Sequence, residues 1–243
     1  MAALKRPGGE LASRPLHFIW IVDCSGSMYG EKIGTVNHAI QSTIPEMADA
    51  AKDNPNAQLL VRTLKFATGA SWVTTNPIPI EDFAWDDLEA CGVTDLGKAF
   101  DMLAAQLTIP PMTDRALPPV LVLLSDGQPT DDYKKSLENL LHLPWGKKAV
   151  RIAISIGQDA DDDVLEQFTG NKELVLQANN PQALVKMIKW ASTAASMVSA
   201  PASRPMNLEQ INLPKDPSQT NAPLVLDMNN IPDPASVGAG DVW

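Results

Sequence analysis

The sequence predicts an α/β fold in which helices cover both faces of a doubly wound, mostly parallel sheet of six strands. Short apolar segments alternate along the chain with longer segments whose apolar residues recur every three or four positions, as strands and helices do in βαβ units. The short segments are apolar almost throughout, which is typical of strands buried on both faces. A single hairpin pattern adds one antiparallel edge strand.

The first half of the chain contains three predicted strands and two predicted helices. Residues 16–23 form the first strand, and apolar residues spaced three or four apart predict a helix over residues 33–47. Residues 58–66 and 71–75 lie on either side of a short turn and predict the hairpin. The same helical spacing predicts the second helix over residues 96–107.

The second half continues the alternation of strands and helices. Its predicted strands cover residues 120–124, 150–156 and 173–176, and its predicted helices cover residues 133–141, 164–168 and 184–198. Parallel strands joined through helices need crossover connections, which place helices on both faces of the sheet.

The chain divides into three predicted regions: an N-terminal extension over residues 1–15, one domain over residues 16–199, and a tail over residues 200–243. The tail is rich in proline and has neither a helical nor an alternating pattern. Because proline lacks a backbone donor and breaks helices, we expect the tail to be extended or disordered in isolation.

The composition argues against several classes of partner. The formal net charge is −10 and the isoelectric point is near 4.7, which argues against nucleic acid and anionic membranes. No apolar run reaches the roughly 18–20 residues of a membrane span, and no secretory signal is visible. Two cysteines, Cys24 and Cys91, cannot form a disulfide scaffold. We therefore expect a cytoplasmic protein, and the sequence does not predict its oligomeric state.

Three polar segments are predicted to meet at one edge of the sheet. Asp23, Ser25 and Ser27 follow the first strand. Thr94 precedes the second helix, and Asp126 follows the fourth strand. In an open doubly wound sheet, ligands bind beyond the carboxyl ends of the strands, where the strand order reverses. The first and fourth strands are the predicted neighbours at that point.

These five residues offer two carboxylates and three hydroxyls, a set of donors that suits Mg²⁺, Mn²⁺ or Ca²⁺ and not Zn²⁺. In the D-x-S-x-S sequence, alternate side chains of the turn point to one side, and Gly26 lets the backbone turn tightly between the serines. Because the protein supplies only two charged ligands, the ion keeps a free coordination position. We expect an Asp or Glu carboxylate of a partner protein to fill it.

The same five residues and the sequences around them resemble the von Willebrand factor type A domain and its metal-ion-dependent adhesion site. The matching sequences are IVDCSGSMYGEKI, GVTDLGKAFDML and VLLSDGQPTDDY. The resemblance covers about residues 16–198 and is greatest to the bacterial tellurite-resistance TerY-type branch. It implies the strand order 3-2-1-4-5-6, direct coordination of the metal by Ser25 and Ser27, and direct or water-mediated coordination by Asp23, Thr94 and Asp126. It also implies a Ser/Thr kinase and a protein phosphatase as associated partners.

The preferred interpretation is a non-enzymatic, metal-dependent protein-interaction module that binds Mg²⁺ or Mn²⁺ in preference to Ca²⁺, within a bacterial stress-response, signalling or defence assembly. The residues expected to line the rim of the site are Met28, Tyr29, Gln128, Pro129 and Thr130. Two alternatives stay open. One is a metal-dependent phosphohydrolase, for which Asp95 and Asp126 are the obvious general bases. The other is a structural subunit whose metal site is closed internally.

Simpler explanations apply to individual features of the site. Asp23 and Asp126 would each suit a helix N-terminus, because aspartate is a common capping residue. Cys24 and Cys91 are expected to be two small buried thiols, with a redox link that controls access to the metal as the alternative.

The tail is either a plain extension or a docking segment. Short apolar sequences interrupt it, and apolar anchors of this kind are common in docking motifs. The candidate docking residues are Asp227, Asp233 and Trp243. In the sharper hypothesis, Asp227 or Asp233 occupies the free position of the metal, within one chain or between subunits.

Overall fold

The computed structural model describes residues 13–52, 54, 57–126, 128–158 and 160–199, and for residues 193–199 it describes the helix but not the side chains. The strands are β1 (Arg14–Asp23), β2 (Ala57–Ala67), β3 (Gly69–Trp72), β4 (Ile78–Pro79), β5 (Val120–Ser125), β6 (Val150–Ile156) and β7 (Val175–Ala178). The helices are α1 (Glu31–Lys52), α2 (Leu96–Gln106), α3 (Tyr133–His142), α4 (Pro144–Lys148), α5 (Asp162–Thr169) and α6 (Pro181–Ser199).

The strands form one doubly wound, mostly parallel sheet, which confirms the predicted fold class. Their order is β3-β2-β1-β5-β6-β7, and β4 pairs with β2 outside this path. This is the predicted order with one strand added, so the sheet has seven strands and not six. Both β3 and β4 run antiparallel to β2. β4 was not predicted, because a two-residue strand that contains a proline has no alternating pattern.

Two apolar layers enclose the sheet, one on each face. In β1, the alternate residues Phe18, Trp20 and Val22 belong to the layer that includes residues of α1 and α6. The intervening residues Ile19 and Ile21 belong to the opposite layer, with residues of α2, α3 and α5. Because successive strand side chains point to opposite faces, this double burial explains the unbroken apolar sequence of β1.

The neighbouring strands β1 and β5 bring the predicted site residues to one edge. The two strands are parallel, and their last registered pair is Val22 with Leu124. Asp23 and Ser125, the last residues of β1 and β5, therefore lie side by side, and Asp126 follows directly. The order of the sheet reverses between these strands, which is where a doubly wound fold places its ligand site.

Several element boundaries differ from the prediction. β1 begins at Arg14, two residues before the predicted start of the domain. α1 continues past Pro45 to Lys52, and the short helix α4 was not predicted. The last strand starts at Val175, because residues 172–174 form a 3₁₀ turn. The predicted tail and residues 1–12 of the predicted extension lie outside the described residues.

Within the described part of the chain, no helix has the length and apolar character needed to cross a membrane.

Candidate metal site

The carboxylate of Asp23 fixes the turn that leaves β1. One of its oxygens, Oδ1, accepts the backbone N–H of Ser25 at 2.8 Å, and the other, Oδ2, accepts the hydroxyl of Ser125 at 2.6 Å. Asp23 is fully buried. Both oxygens therefore already have donors, one from its own turn and one from β5. Asp23 thus fixes the backbone of this turn and joins the ends of two strands, and it is not the N-cap of the following 3₁₀ turn, which is Ser25.

The two serines of the turn lie side by side. The hydroxyl oxygens of Ser25 and Ser27 are 3.0 Å apart. Ser25 is buried, whereas Ser27 is exposed. A 3₁₀ turn over Gly26–Met28 follows Ser25 and directs Met28 into the apolar layer that includes α1. The turn is thus anchored by Met28, and its two hydroxyls lie next to each other.

The loop before α2 lies against this turn. The N–H of Gly26 donates to the carbonyl of Gly92 at 3.0 Å, and a Cβ added to Gly26 would lie 3.3 Å from that oxygen. Gly92 has a φ of +82°, in the region that favours glycine. The close approach of the two loops therefore depends on these glycines.

Thr94 is held on its other side by the loop after β5. Its N–H donates to the hydroxyl of Thr130 at 3.1 Å, and the N–H of Thr130 donates to the carbonyl of Thr94 at 2.9 Å. Both bonds use the backbone of Thr94 and not its hydroxyl. The structure thus ties all three predicted loops to one another.

Asp126 differs from Asp23 in having an oxygen without a donor. The residue is 4% exposed, and its Oδ1 has no hydrogen-bond partner among the described residues. Its backbone carbonyl accepts the N–H of Asp161 at 2.8 Å, which fixes the position of the residue. A buried carboxylate oxygen without a donor is costly. It indicates a group that the protein itself does not supply.

The electrostatics of the site favour a cation. Burial raises the pKa of Asp23, the hydrogen bonds from Ser125 and Ser25 lower it, and the negative charge of Asp126 raises it further. Two acids are thus buried close together. Among the described residues, no group of three or more His, Cys, Asp or Glu side chains could hold a metal ion. The donors at this edge are therefore two carboxylates with hydroxyls, which fit a hard cation such as Mg²⁺ or Mn²⁺.

One of the predicted rim residues requires a correction. Met28 is 0% exposed and is part of the core, because the 3₁₀ turn directs it inward. Tyr29 is 80% exposed, Gln128 and Thr130 are exposed, and Pro129 is half-buried. Four of the five predicted rim residues are thus accessible beside the site. The candidate docking residues Asp227, Asp233 and Trp243 lie outside the described residues.

Asp95, the second possible general base, is engaged in holding the loop. Its Oδ2 accepts the N–H of Gly69 at 2.8 Å and also the ammonium of Lys98. The hydrogen bond from Lys98 and that from Gly69 lower the pKa of Asp95. Its position and bonds are those of a residue that fastens the loop to β3.

Three residues with a part in the site were missed or misjudged from the sequence. Ser125 donates to Asp23, and Thr130 pairs with Thr94 in addition to lying on the rim. Asp131 accepts the N–H groups of Gly97 and Lys98 at the start of α2. The only available signal was that all three follow closely upon a buried strand.

The two cysteines differ in environment. Cys24 is buried, and burial raises its pKa to about 12. Cys91 is exposed, so the expectation of two buried thiols is wrong for Cys91. Both are free thiols, and the N–H of Cys91 donates to the carbonyl of Cys24 at 2.7 Å.

Solved structures share this fold at low sequence identity. A von Willebrand factor type A protein from Catenulispora acidiphila is 15% identical with a TM-score of 0.54, over 75% of this chain and 43% of that chain. The ArnB paralog VWA2 from Sulfolobus acidocaldarius is 18% identical with a TM-score of 0.54, over 72% and 44%. Proximal thread matrix protein 1 from the mussel byssus, with a zinc-occupied MIDAS motif, is 17% identical with a TM-score of 0.57, over 77% and 49%.

The chain spans less than half the length of these three structures, and at such identities they show the fold alone. No curated protein sequence matches the chain. The family model for the von Willebrand factor type A domain matches residues 19–190. With this match over most of its length and a sheet of the same architecture, the chain belongs to the von Willebrand factor type A domain family.

Proposed function

We propose that this protein is a metal-dependent protein-interaction module. The ligands of the divalent cation, Mg²⁺ or Mn²⁺, are Asp23, Ser25, Ser27, Thr94 and Asp126. An Asp or Glu carboxylate of a partner protein completes the coordination. The observation that carries the proposal is the buried Oδ1 of Asp126, which lacks a donor and lies in the field of a second buried carboxylate.

The charges explain why a metal is needed for binding an acid. The chain has a net charge of −10, and the site itself contains the carboxylates of Asp23 and Asp126. Without a cation, the site would repel a partner's carboxylate. A divalent cation offsets both charges, and because only two of its proposed ligands are charged, it keeps affinity for a third carboxylate.

The two aspartates have different tasks in this proposal. Asp23 holds Ser25 and Ser125 through its two oxygens, so it positions a ligand and supplies charge. Asp126 supplies the buried oxygen that has no donor. Relatives with the same fold include one structure with zinc in its MIDAS motif, which supports a divalent cation at the corresponding edge of this chain.

The setting of the interaction remains a prediction. The resemblance to the TerY-type branch leads us to propose a Ser/Thr kinase and a protein phosphatase as candidate partners, in a cytoplasmic bacterial stress-response, signalling or defence assembly.

The first experiment measures metal binding by isothermal titration calorimetry of the full chain with Mg²⁺ and Mn²⁺. We expect Asp126→Asn to weaken binding by about 100-fold or more, because it removes one of two charged ligands. Asp101→Asn is the matched control, since Asp101 is exposed on α2. Equal binding by wild type and Asp126→Asn would contradict the proposed ligand set.

The second experiment tests for the free coordination position. The relaxation of water protons by bound Mn²⁺ should fall when a peptide with one aspartate is added, and a peptide with asparagine in its place should have no effect. A Mn²⁺ signal that no carboxylate changes would instead support the internally closed site. Hydrolysis of p-nitrophenyl phosphate by the metal-loaded wild type, lost in Asp126→Asn, would support the phosphohydrolase.

A further inference from the structure

Exposed apolar side chains are concentrated beside the candidate metal site. Among the described residues, three large apolar side chains are exposed: Tyr29 at 80%, Val93 at 46% and Ile109 at 56%. Tyr29 lies two residues after Ser27, and Val93 directly precedes Thr94. Two of the three exposed side chains therefore stand next to proposed ligands of the metal.

Hydrogen bonds of the backbone link these two residues. The N–H of Tyr29 donates to the carbonyl of Gly26 at 3.2 Å, and the N–H of Gly26 donates to the carbonyl of Gly92 at 3.0 Å. The next residue, Val93, donates its N–H to the hydroxyl of Thr68 at 3.3 Å. Both residues are thus held around Gly26, which stands between the two serines of the proposed ligand set. We call the two exposed side chains the Tyr29–Val93 patch.

The patch lies a short distance from the proposed ligands. Two residues of chain span at most about 7 Å, which limits the distance between the Cα atoms of Ser27 and Tyr29. The Cα atoms of Val93 and Thr94 are about 3.8 Å apart across a trans peptide. In an extended segment, alternate side chains point to the same side and repeat about every 6.6 Å. A segment whose acid reaches the metal therefore brings the residue two positions away to the patch.

The charge beside the patch favours a partner segment with a single acid. The backbone before Val93 is fixed by Asn37, whose amide donates to the carbonyl of Leu88 at 2.9 Å and accepts the N–H of Leu88 at 2.9 Å. The exposed residues of this fixed loop include five acids: Glu81, Asp82, Asp86, Asp87 and Glu89. A second carboxylate in the partner segment would be repelled by them, whereas an apolar side chain would not.

We propose that the partner presents an extended segment with one Asp or Glu and a large apolar residue two positions away. The acid binds the metal, and the apolar side chain packs on the Tyr29–Val93 patch. The proposal rests on the proposed function, because it requires the metal. An apolar patch on fixed backbone adds affinity at a low cost in conformational entropy. The patch therefore selects among acidic segments that the metal alone would bind alike.

The test uses the full chain with bound Mn²⁺ and two synthetic heptapeptides as probes. Each peptide has one central aspartate among glycines, and one of them also has leucine two positions before and two positions after it. The relaxation of water protons by bound Mn²⁺ measures both affinities. We expect the leucine peptide to bind about tenfold more tightly, as for partial burial of a leucine side chain. Equal affinities would overturn the proposal.

A third peptide tests the spacing. It has the same composition, with the two leucines directly beside the aspartate, and it should bind as the glycine peptide does. The same tenfold gain in this peptide would overturn the spacing of two residues.

Substitutions test the patch itself. Tyr29→Ala and Val93→Thr should each reduce the tenfold gain to about threefold or less and leave the affinity for Mn²⁺ unchanged, because neither residue is a proposed ligand. Ile109→Ala is the matched control and should retain the gain. Ile109 lies beyond the far end of α2, in the loop that reaches the start of β1 through the N–H of Leu117 and the carbonyl of Pro15. Equal effects of Tyr29→Ala and Ile109→Ala would overturn the proposed patch.

Metal binding distinguishes the two proposals. If the chain binds no Mn²⁺, or if a chelator leaves peptide binding intact, the proposed function fails and the patch fails with it. If both peptides bind only with Mn²⁺ present, yet with equal affinity, only the role of the patch is wrong. Light scattering tests a second copy of this chain as the occupant: a dimer that Tyr29→Ala dissociates would overturn the proposed partner.

Discussion

Two polar clusters at the same edge of the sheet have opposite properties. Asp162, at the start of α5, accepts the hydroxyl of Ser155 on Oδ1 at 2.6 Å and the amide of Gln177 on Oδ2 at 2.7 Å. Asp126 leaves its buried Oδ1 without a donor. Both aspartates lie near the carboxyl ends of parallel strands, in positions that are topologically similar. Of the two, only Asp126 has a buried carboxylate oxygen without a donor, and a bound cation would supply its partner.

The comparison shows that location at the sheet edge does not by itself make a ligand site. A carboxylate whose oxygens both have donors, as in Asp162 and Asp23, gives up one of those bonds if it binds a cation directly. The cluster at the end of β1 differs from the Asp162 cluster because it also contains Asp126, whose Oδ1 has no donor. The Asp162 cluster therefore joins β6, β7 and α5, whereas the Asp126 cluster has an oxygen available to a bound cation.

The largest expected difference between the clusters concerns protection by metal. At Mg²⁺ concentrations about 100 times the Kd, bound metal adds about 2.7 kcal/mol to the free energy of unfolding, or about 5–10 °C in melting temperature for a domain of this size. We expect Asp126→Asn to abolish this shift and Asp162→Asn to retain it. Thermal unfolding with Mg²⁺ and with chelator measures both. The same loss in both variants would remove the distinction between the clusters.

A second difference concerns the glycines beside the two clusters. A Cβ on Gly92 would lie 2.3 Å from the hydroxyl oxygen of Thr68, and a Cβ on Gly157 would lie 3.0 Å from the mobile ammonium of Lys32. Both glycines have positive φ. We expect Gly92→Ala to cost about 2–3 kcal/mol and Gly157→Ala about 1–2 kcal/mol, measured by urea unfolding in chelator. A larger loss for Gly157→Ala would mean that the loop of Gly92 can relax.

A third difference is that, without metal, substitutions in the two clusters are expected to change the free energy of unfolding in opposite directions. Asp126→Asn removes a buried negative charge next to Asp23, so we expect it to raise the free energy of unfolding by about 1 kcal/mol. Asp162→Asn places an amide against the amide of Gln177 and should lower the free energy of unfolding by about 1–2 kcal/mol. Urea unfolding in chelator gives both values. A loss of stability in Asp126→Asn would mean that its carboxylate has a stabilising role without metal.

The smallest expected effect is a pH dependence of stability caused by His17, which lies toward the end of β1 opposite Asp23. Burial, with a contribution from the charge of Arg62, lowers the pKa of His17 below its ordinary value of 6.5. The unfolded chain therefore takes up a proton more readily, and the free energy of unfolding should fall as the pH drops below about 6.5. His17→Gln should make this fall shallower in urea titrations at several pH values. An unchanged slope would assign the fall to groups other than His17, and not to Asp23, because a carboxyl with a raised pKa stabilises the fold as the pH drops.

Much of the fold could be predicted because it depends on local patterns. The double burial of β1 is visible in its unbroken apolar sequence, and the helical spacing of apolar residues located α1, α2 and α3. The elements that were missed are short: β4 has two residues and α4 has five. Such elements are stabilised by their neighbours and not by their own sequence.

The candidate site was predictable in its composition but not in its details. Met28 follows directly on Ser27 in the sequence, yet it is buried while Ser27 is exposed. Its direction depends on a 3₁₀ turn and on the space available beneath the turn, and neither is encoded in the motif. The exposure of Val93 and the pairing of Thr94 with Thr130 likewise depend on how two distant loops pack.

The sequence by itself determined the alternation of strands and helices, and it determined that Asp23, Ser25 and Asp126 lie at the ends of strands or within two residues of them. These are consequences of local periodicity, which needs no knowledge of distant contacts. The tertiary structure alone decided which carboxylates are satisfied. Ser125 reaches Asp23 across 102 positions of sequence, and no such donor reaches the Oδ1 of Asp126 within the described residues. The donors to a buried carboxylate come from whichever elements pack beside it. Only the folded structure therefore shows which carboxylate has donors on both oxygens and which has an oxygen available to a cation.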